Sequence, residues 1–223
     1  YLPAHEMSAD GTIRRCIDGS EVAINARKIV DASYFTNSVP KTDPPPFPVA
    51  SDANLVCPHD LPSTATRYSK FVVIGSGKTG MDAVTFLLRL GARAEQIQWV
   101  VPRDPWVFNR EGLQAHPSFL KRMAELTAAQ LDAMALSSSI EDFEARMELG
   151  EVWLRLDPSV RPTMFHAACA SKRECLLLNS VSIVREGYVQ AIEKNHLLLT
   201  GGKLATDSNT LLINCAASAL TKQ

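Results

Sequence analysis

The run Lys70-Phe71-Val72-Val73-Ile74-Gly75-Ser76-Gly77-Lys78-Thr79-Gly80-Met81-Asp82-Ala83-Val84 constrains this chain more than any other segment. Phe71 to Ile74 is apolar without alternation, as a parallel strand covered on both faces requires. Gly75, Gly77 and Gly80 then fall at the G-x-G-x-x-G spacing, between a strand and a helix, where that spacing carries meaning. In such a turn the first glycine allows the sharp exit from the strand, and the second lets a pyrophosphate approach the backbone. The third lets the helix pack close to the sheet, and the helix N-terminus faces the phosphates.

The pattern predicts a helix over Lys78 to Leu90 that buries Met81, Val84, Phe86, Leu87, Leu88 and Leu90 and stops at Gly91. Ile97 to Val101 supplies the next strand. Strand, helix and strand in that order imply a right-handed parallel crossover. The fold class expected is therefore α/β, a Rossmann-like doubly wound parallel sheet with flanking antiparallel β-meander pieces.

Ahead of this unit, Thr12 to Ile17 and Val22 to Ile24 read as strands joined through Asp18-Gly19, and Lys28 to Ala32 as a third strand completing a meander. Pro40 to Pro48, with Pro44-Pro45-Pro46 inside it, lacks sheet donors and reads as an extended linker. Beyond the unit, 117 to about 150 turns helical, with apolar stripes at Phe119, Met123, Leu126 and Leu131, then Ile140, Phe143 and Met147. A further helix is expected over Phe165 to Leu178. Strands follow at Val181 to Val184, Tyr188 to Ile192, Leu197 to Leu199 and Thr210 to Cys215, with turns at Gly187 and Gly201-Gly202.

Twenty-three Lys plus Arg against twenty-four Asp plus Glu leave a formal charge of -1, which argues against a surface built for nucleic acid or anionic lipid. No apolar run is long enough to span a bilayer, and the first residues lack the regions of a signal peptide, so a cytoplasmic setting is expected. The five cysteines, Cys16, Cys57, Cys169, Cys175 and Cys215, form no C-x-x-C pair for zinc or redox chemistry and read as buried free thiols. No metal site is expected. A start at Tyr1 and an end just past an apolar strand lead us to expect a fragment of a longer protein.

Gly75, Ser76, Gly77, Lys78, Thr79 and Gly80 are thus the candidate phosphate-binding residues. Gly77-Lys78-Thr79 also resembles the end of a nucleotide-hydrolase phosphate loop, but that loop needs a glycine where Val72 stands. Ribose specificity is set at the end of the second strand, where an acid reads the 2'-hydroxyl of NAD and an arginine suits the 2'-phosphate of NADP. Arg103 favours NADP there and Asp104 keeps NAD open; a simple surface salt bridge between the two is the bland alternative. Arg110, beyond Trp106 and Asn109, is a further candidate for phosphate binding, or an exposed loop arginine. His59 and His166 are the histidines to watch.

The runs Val73 to Ala83, Gln98 to Trp106 and Asn109-Arg110 resemble the NAD(P)-binding part of bacterial flavin-dependent oxidoreductases, the flavoprotein monooxygenases and pyridine nucleotide-disulfide oxidoreductases. Lys28 to Ala32 and Leu211 to Ala216 resemble the strands at which such chains cross between flavin and nicotinamide domains. The resemblance implies that residues 1–62 close a flavin domain and 63–209 form the NAD(P)-binding domain, with its helical insertion at about 117–150. Residues 210–223 would return toward the flavin domain. It further implies FAD in the intact protein, with hydride passing to it from NADPH. Three departures stand out: no glycine motif precedes Gly75 to hold FAD, the family's fingerprint around His59 is not reproduced, and no redox cysteine pair exists. A non-catalytic NAD(P)-sensing module is the alternative. Neither substrate nor oligomeric state follows from the sequence, and no catalytic acid, base or nucleophile stands out.

Overall fold

Short alternating runs around Asp18-Gly19 are too small to bury two faces, and they form a small sheet of their own. In the computed structural model, which describes residues 4–30 and 39–217, the contacts separate Tyr1–Ser38 with Ser218–Gln223 from Val39–Ala217. The first unit holds strands β1 (His5–Met7), β2 (Ile13–Arg15) and β3 (Glu21–Val22) in the antiparallel order β1-β2-β3. The meander is completed by β1, which pairs Glu6 with Arg14. Lys28 to Val30 form no strand, and Asp31 and Ala32 lie outside the described residues.

The second unit runs β4 (Leu55–Val56), α1 (Leu61–Thr64), β5 (Lys70–Ile74), α2 (Lys78–Leu90), β6 (Ile97–Val100) and β7 (Pro105–Asn109). Then come α3 (Leu120–Leu136), α4 (Ile140–Leu149), β8 (Trp153–Leu154), β9 (Met164–Ala170), α5 (Lys172–Leu178) and β10 (Ser182–Val184). The chain closes with β11 (Val189–Glu193), β12 (His196–Leu199), β13 (Gly202–Ala205) and β14 (Thr210–Asn214).

Five strands form one parallel sheet in the order β10-β6-β5-β14-β4. Its unbroken apolar strands divide their side chains between two cores, as the pleat demands. Phe71, Val73, Ile97, Trp99, Leu211 and Ile213 point to one face, where α2 packs Met81, Val84 and Leu87 and α5 packs Leu178. A fully buried leucine such as Leu87 contributes about 1.5–3 kcal/mol relative to leaving it in water. Val72, Ile74, Val100 and Leu212 point to the other face. That face is covered by an antiparallel sheet, β11-β12-β13, whose Ile192, Leu197 and Leu199 fill the second core. Helices on both faces, expected from the doubly wound reading, are not what the described residues build: one face carries helices and the other an antiparallel sheet.

Several expectations are revised. The proline-rich segment is docked: Phe47 is buried against the second core, and the Ile192 backbone receives a bond from Ala50 N (2.8 Å) and donates one to Pro48 O (2.9 Å). Phe165 to Ala170 is strand, because pairing with β7 overrides the helical preference of its alanines. The helix begins only at Lys172, where Ser171 and Glu174 form a reciprocal capping box. Thr210–Asn214 forms a strand of the parallel sheet, between β5 and β4.

In the helical insertion Leu126 and Met147 are buried with Trp106 and Trp153, but Leu131 and Ile140 are 59% and 73% exposed. Leu90, expected inside, is also exposed, since it lies in the last turn before the left-handed cap at Gly91 (φ 104°).

Candidate functional site

The glycine turn forms at the C-terminal end of β5, and each glycine meets a different constraint. Gly75 has φ 110°, a conformation that side chains oppose, and a Cβ there would lie 3.1 Å from Cys215 O. At Gly80 a Cβ would stand 2.1 Å from Gly75 O, so the helix reaches the turn only because no side chain intervenes. Trp99 Nε1 donates to that same Gly75 oxygen at 2.9 Å and holds it against the helix face. Gly77, the residue capping α2, has ordinary extended backbone, and a Cβ there would meet nothing within 4 Å. Its surroundings are open.

No side chain caps α2, and the first backbone bond into it runs from Met81 N to Gly77 O (3.1 Å). The N–H groups from Ser76 to Gly80 therefore have no acceptor among the described residues. Ser76 is buried in the turn, Thr79 is exposed, and Lys78 forms an ion pair with Asp82 one turn along. A row of donors at a helix N-terminus is what an anion can complete.

Arg110 is neither loop-exposed nor free. Its Nη2 donates to Cys169 O (3.2 Å) and lies 3.3 Å from Glu174 Oε1, while its Nε is occluded without a partner among the described residues. Burial works against the charge on Glu174, but Ser171, Arg110 and Lys78 outweigh it and hold this carboxyl below its ordinary range. Lys78, Arg110 and Glu174 thus share one electrostatic neighbourhood beside the turn. Sequence reasoning missed Glu174, although the Ser171-x-x-Glu174 spacing of a capping box was there to be read.

Arg103 and Asp104 do not pair with each other. Arg103 is exposed and makes no hydrogen bond or ion pair with a described residue. Asp104 is 6% exposed and takes both donors of Arg185, Nε at 2.8 Å and Nη2 at 2.9 Å. Arg185 Nη2 also reaches Asp157 Oδ2 at 3.0 Å. The Asp104 carboxylate holds the guanidinium above its usual range, and Asp157 is kept below its own first by the Ser159 hydroxyl.

His59 and His166 are exposed and unbonded among the described residues. Of the cysteines only Cys175 and Cys215 are buried; Cys16 is exposed, and Cys57 donates to Asp60. Burial pushes the two inner thiols up to about 11 and about 12. No group among the described residues is arranged to hold a metal, and none of their helices is long and apolar enough to cross a membrane.

A cavity of about 670 Å³ lies at the opposite edge of the sheet, lined by Lys70, Arg93, Gln98, Ser182, Asp207 and Thr210. Its size does not make it the better site. Lys70 is bound to Asp207 at 2.6 Å and Arg93 pairs with Glu95, so its charges already satisfy one another.

Among known proteins, no family model matches the chain. It is 38% identical over 218 residues to the uncharacterized proteins Rv2000 of Mycobacterium tuberculosis and Mb2023 of Mycobacterium bovis. The match takes in 97% of this chain and 40% of each relative, so the chain spans well under half the length of the mycobacterial proteins it resembles.

Proposed function

We propose that the C-terminal edge of the parallel sheet binds NAD(P), with NADP preferred, and that the chain is the nicotinamide-binding part of a flavin-dependent oxidoreductase. The observation that carries this reading is the row of acceptor-free N–H groups from Ser76 to Gly80, at a turn whose glycines leave room for a phosphate at Gly77. The strand order supports it. The chain steps from β5 outward to β6 and β10 and then returns to β14 on the other side, so the turn lies where the order reverses. Ligands of open α/β sheets bind at that point, and a Rossmann-like dinucleotide site is the reading that suits it.

The residues fit the cofactor as a set. The turn would hold the pyrophosphate on its N–H groups, Lys78 would add positive charge, and Arg103, at the adjacent strand end, is free to meet a 2'-phosphate. Bound NADPH would supply a hydride, and the protein's part is to orient the dinucleotide and exclude water. For FAD there is no second glycine turn in the sequence, so no residue of this chain is assigned to it. The flavin half of the proposal rests on the sequence resemblance.

Trp99, bonded to the turn itself, provides the test. Titration with NADPH and NADH is expected to quench its fluorescence saturably, more tightly for NADPH, and replacing Gly77 with valine is expected to abolish the effect. No saturable quenching by either dinucleotide would overturn the reading. If the dinucleotides bind but the protein isolated from its host shows neither flavin absorbance nor NADPH oxidation, the sensing module replaces the oxidoreductase.

A further inference from the structure

The pairing of Asp104 reverses the role its position suggests. An acid at the end of the second strand is the usual acceptor for a ribose hydroxyl, yet both donors of the Arg185 fork are already on this carboxylate. The arrangement is built in three places. Arg185 follows β10, whose Val184 pairs with Val100 of the neighbouring β6 and accepts from Val101 N (3.0 Å). Asp157 joins from the segment before β9, with Ser159 bonded to its carboxylate through both backbone and hydroxyl. Thr163 N donates to Asp104 O (3.0 Å), fixing the backbone of Asp104 as well as its side chain. Side-chain exposure is 6% at Asp104, 18% at Asp157 and 32% at Arg185, so the acid most deeply withdrawn from water is the one at the cofactor-reading position. Arg103, one residue earlier, is left unpaired among the described residues.

We infer that Arg185 is a specificity-determining positioning residue: by sequestering the Asp104 carboxylate it leaves Arg103 as the available charge at this strand end, and so selects a 2'-phosphorylated dinucleotide over one with a free 2'-hydroxyl. The inference rests on the proposed NAD(P) site. Its physical basis is the local charge. Asp104 and Asp157 together carry two negative charges and Arg185 one positive, and Arg103 lies outside that group. Without Arg185 both carboxylates lose their cation; Asp104 becomes free to accept from a ribose hydroxyl, and the added negative charge opposes a phosphate dianion.

The test compares NADPH and NADH dissociation constants, read from Trp fluorescence of the full chain, across four variants. Arg185→Gln is expected to lower the preference for NADPH about threefold to tenfold, the size expected of one partly exposed charge. Arg185→Lys, which keeps the charge but not the two-pronged geometry, is expected to fall between. In Asp104→Asn/Arg185→Gln the preference is expected to return toward that of the unmodified protein, because no released carboxylate remains. A purely structural role for Arg185 would not produce that rescue. Should Arg185→Gln fail to fold by circular dichroism, the lysine variant and the double variant decide the matter. Unchanged preference in the Arg185 variants, with Arg103→Ala still lowering it, would overturn the inference and leave the site intact. Loss of binding in the unmodified chain, or no effect of Arg103→Ala, would instead overturn the site.

Discussion

The two edges of the parallel sheet differ in what they leave unfinished. At the N-terminal edge there is a cavity of about 670 Å³, but the charged groups lining it pair with one another, Lys70 with Asp207 and Arg93 with Glu95. At the C-terminal edge a row of N–H groups and Arg103 have no partner among the described residues. Donors with no protein acceptor, more than empty volume, mark where an anion can bind, since a helix N-terminus offers it free N–H groups and a partial positive charge. The backbone tells the same story. Two glycines of the C-terminal turn would bring a Cβ against backbone atoms, whereas at the opposite edge Gly91, though left-handed (φ 104°), would place its Cβ in open space.

That contrast can be broken at its strongest point first. Gly80→Ala forces a carbon onto the Gly75 oxygen and is expected to lower unfolding free energy by about 3 kcal/mol, as overpacking against backbone does, with loss of NADPH quenching. Urea denaturation measures the first quantity, and an unshifted midpoint would show that the helix can retreat from the turn. Gly77→Ala separates fold from site. Its backbone is permissive and its surroundings empty, so stability is expected to change by less than about 1 kcal/mol while NADPH binding weakens about tenfold. Equal losses in both would mean that Gly77 is a structural residue only.

Acid provides a milder probe. Glu174 titrates below its ordinary value of 4.5 in the folded chain, so its contribution is present above that pH and lost as pH falls through the lower folded value. Melting temperature is therefore expected to drop on acidification below about pH 4.5, and Glu174→Gln to flatten part of that drop. A variant with the same pH profile as the unmodified chain would remove Glu174 from the account. The smallest change is expected at the far edge. Lys70→Ala breaks an exposed pair, so neither the unfolding midpoint nor NADPH affinity is expected to move measurably, and a clear loss of NADPH binding would relocate the site to the large cavity.

What could be read from the sequence was local. The strand Phe71 to Ile74, the helix Lys78–Leu90 and its stop at Gly91 follow from patterns within a few residues, and the structure reproduces them. The insertion helices were equally legible, though not which stripe residues would be covered, because Leu131 and Ile140 have the right spacing but no neighbour that buries them. Misreadings came where distant chain decides. The alanines of β9 become strand because β7 lies alongside, and Phe47 is anchored because β11 is there to receive its segment. Asp104 reads from the sequence as a candidate ribose acceptor, with pairing to Arg103 as the bland alternative; its partner is Arg185, and no sequence spacing announces that pair. The antiparallel cover on the second face was hidden for the same reason: its strands were visible, their destination was not.

The place of β14 has a consequence for how the molecule comes to exist. Leu212 pairs with Val72 on one side and Leu55 on the other, so the last strand described is wedged between two of the earliest in this unit. Until residues 210–214 have left the ribosome, β4 and β5 have no common neighbour and the apolar edge of β5 stays open. Such long-range parallel pairing delays folding and exposes an adhesive edge meanwhile. Refolding should accordingly be slow and sensitive to protein concentration, with a chain cut before Thr210 collecting in aggregates and not in a smaller native state.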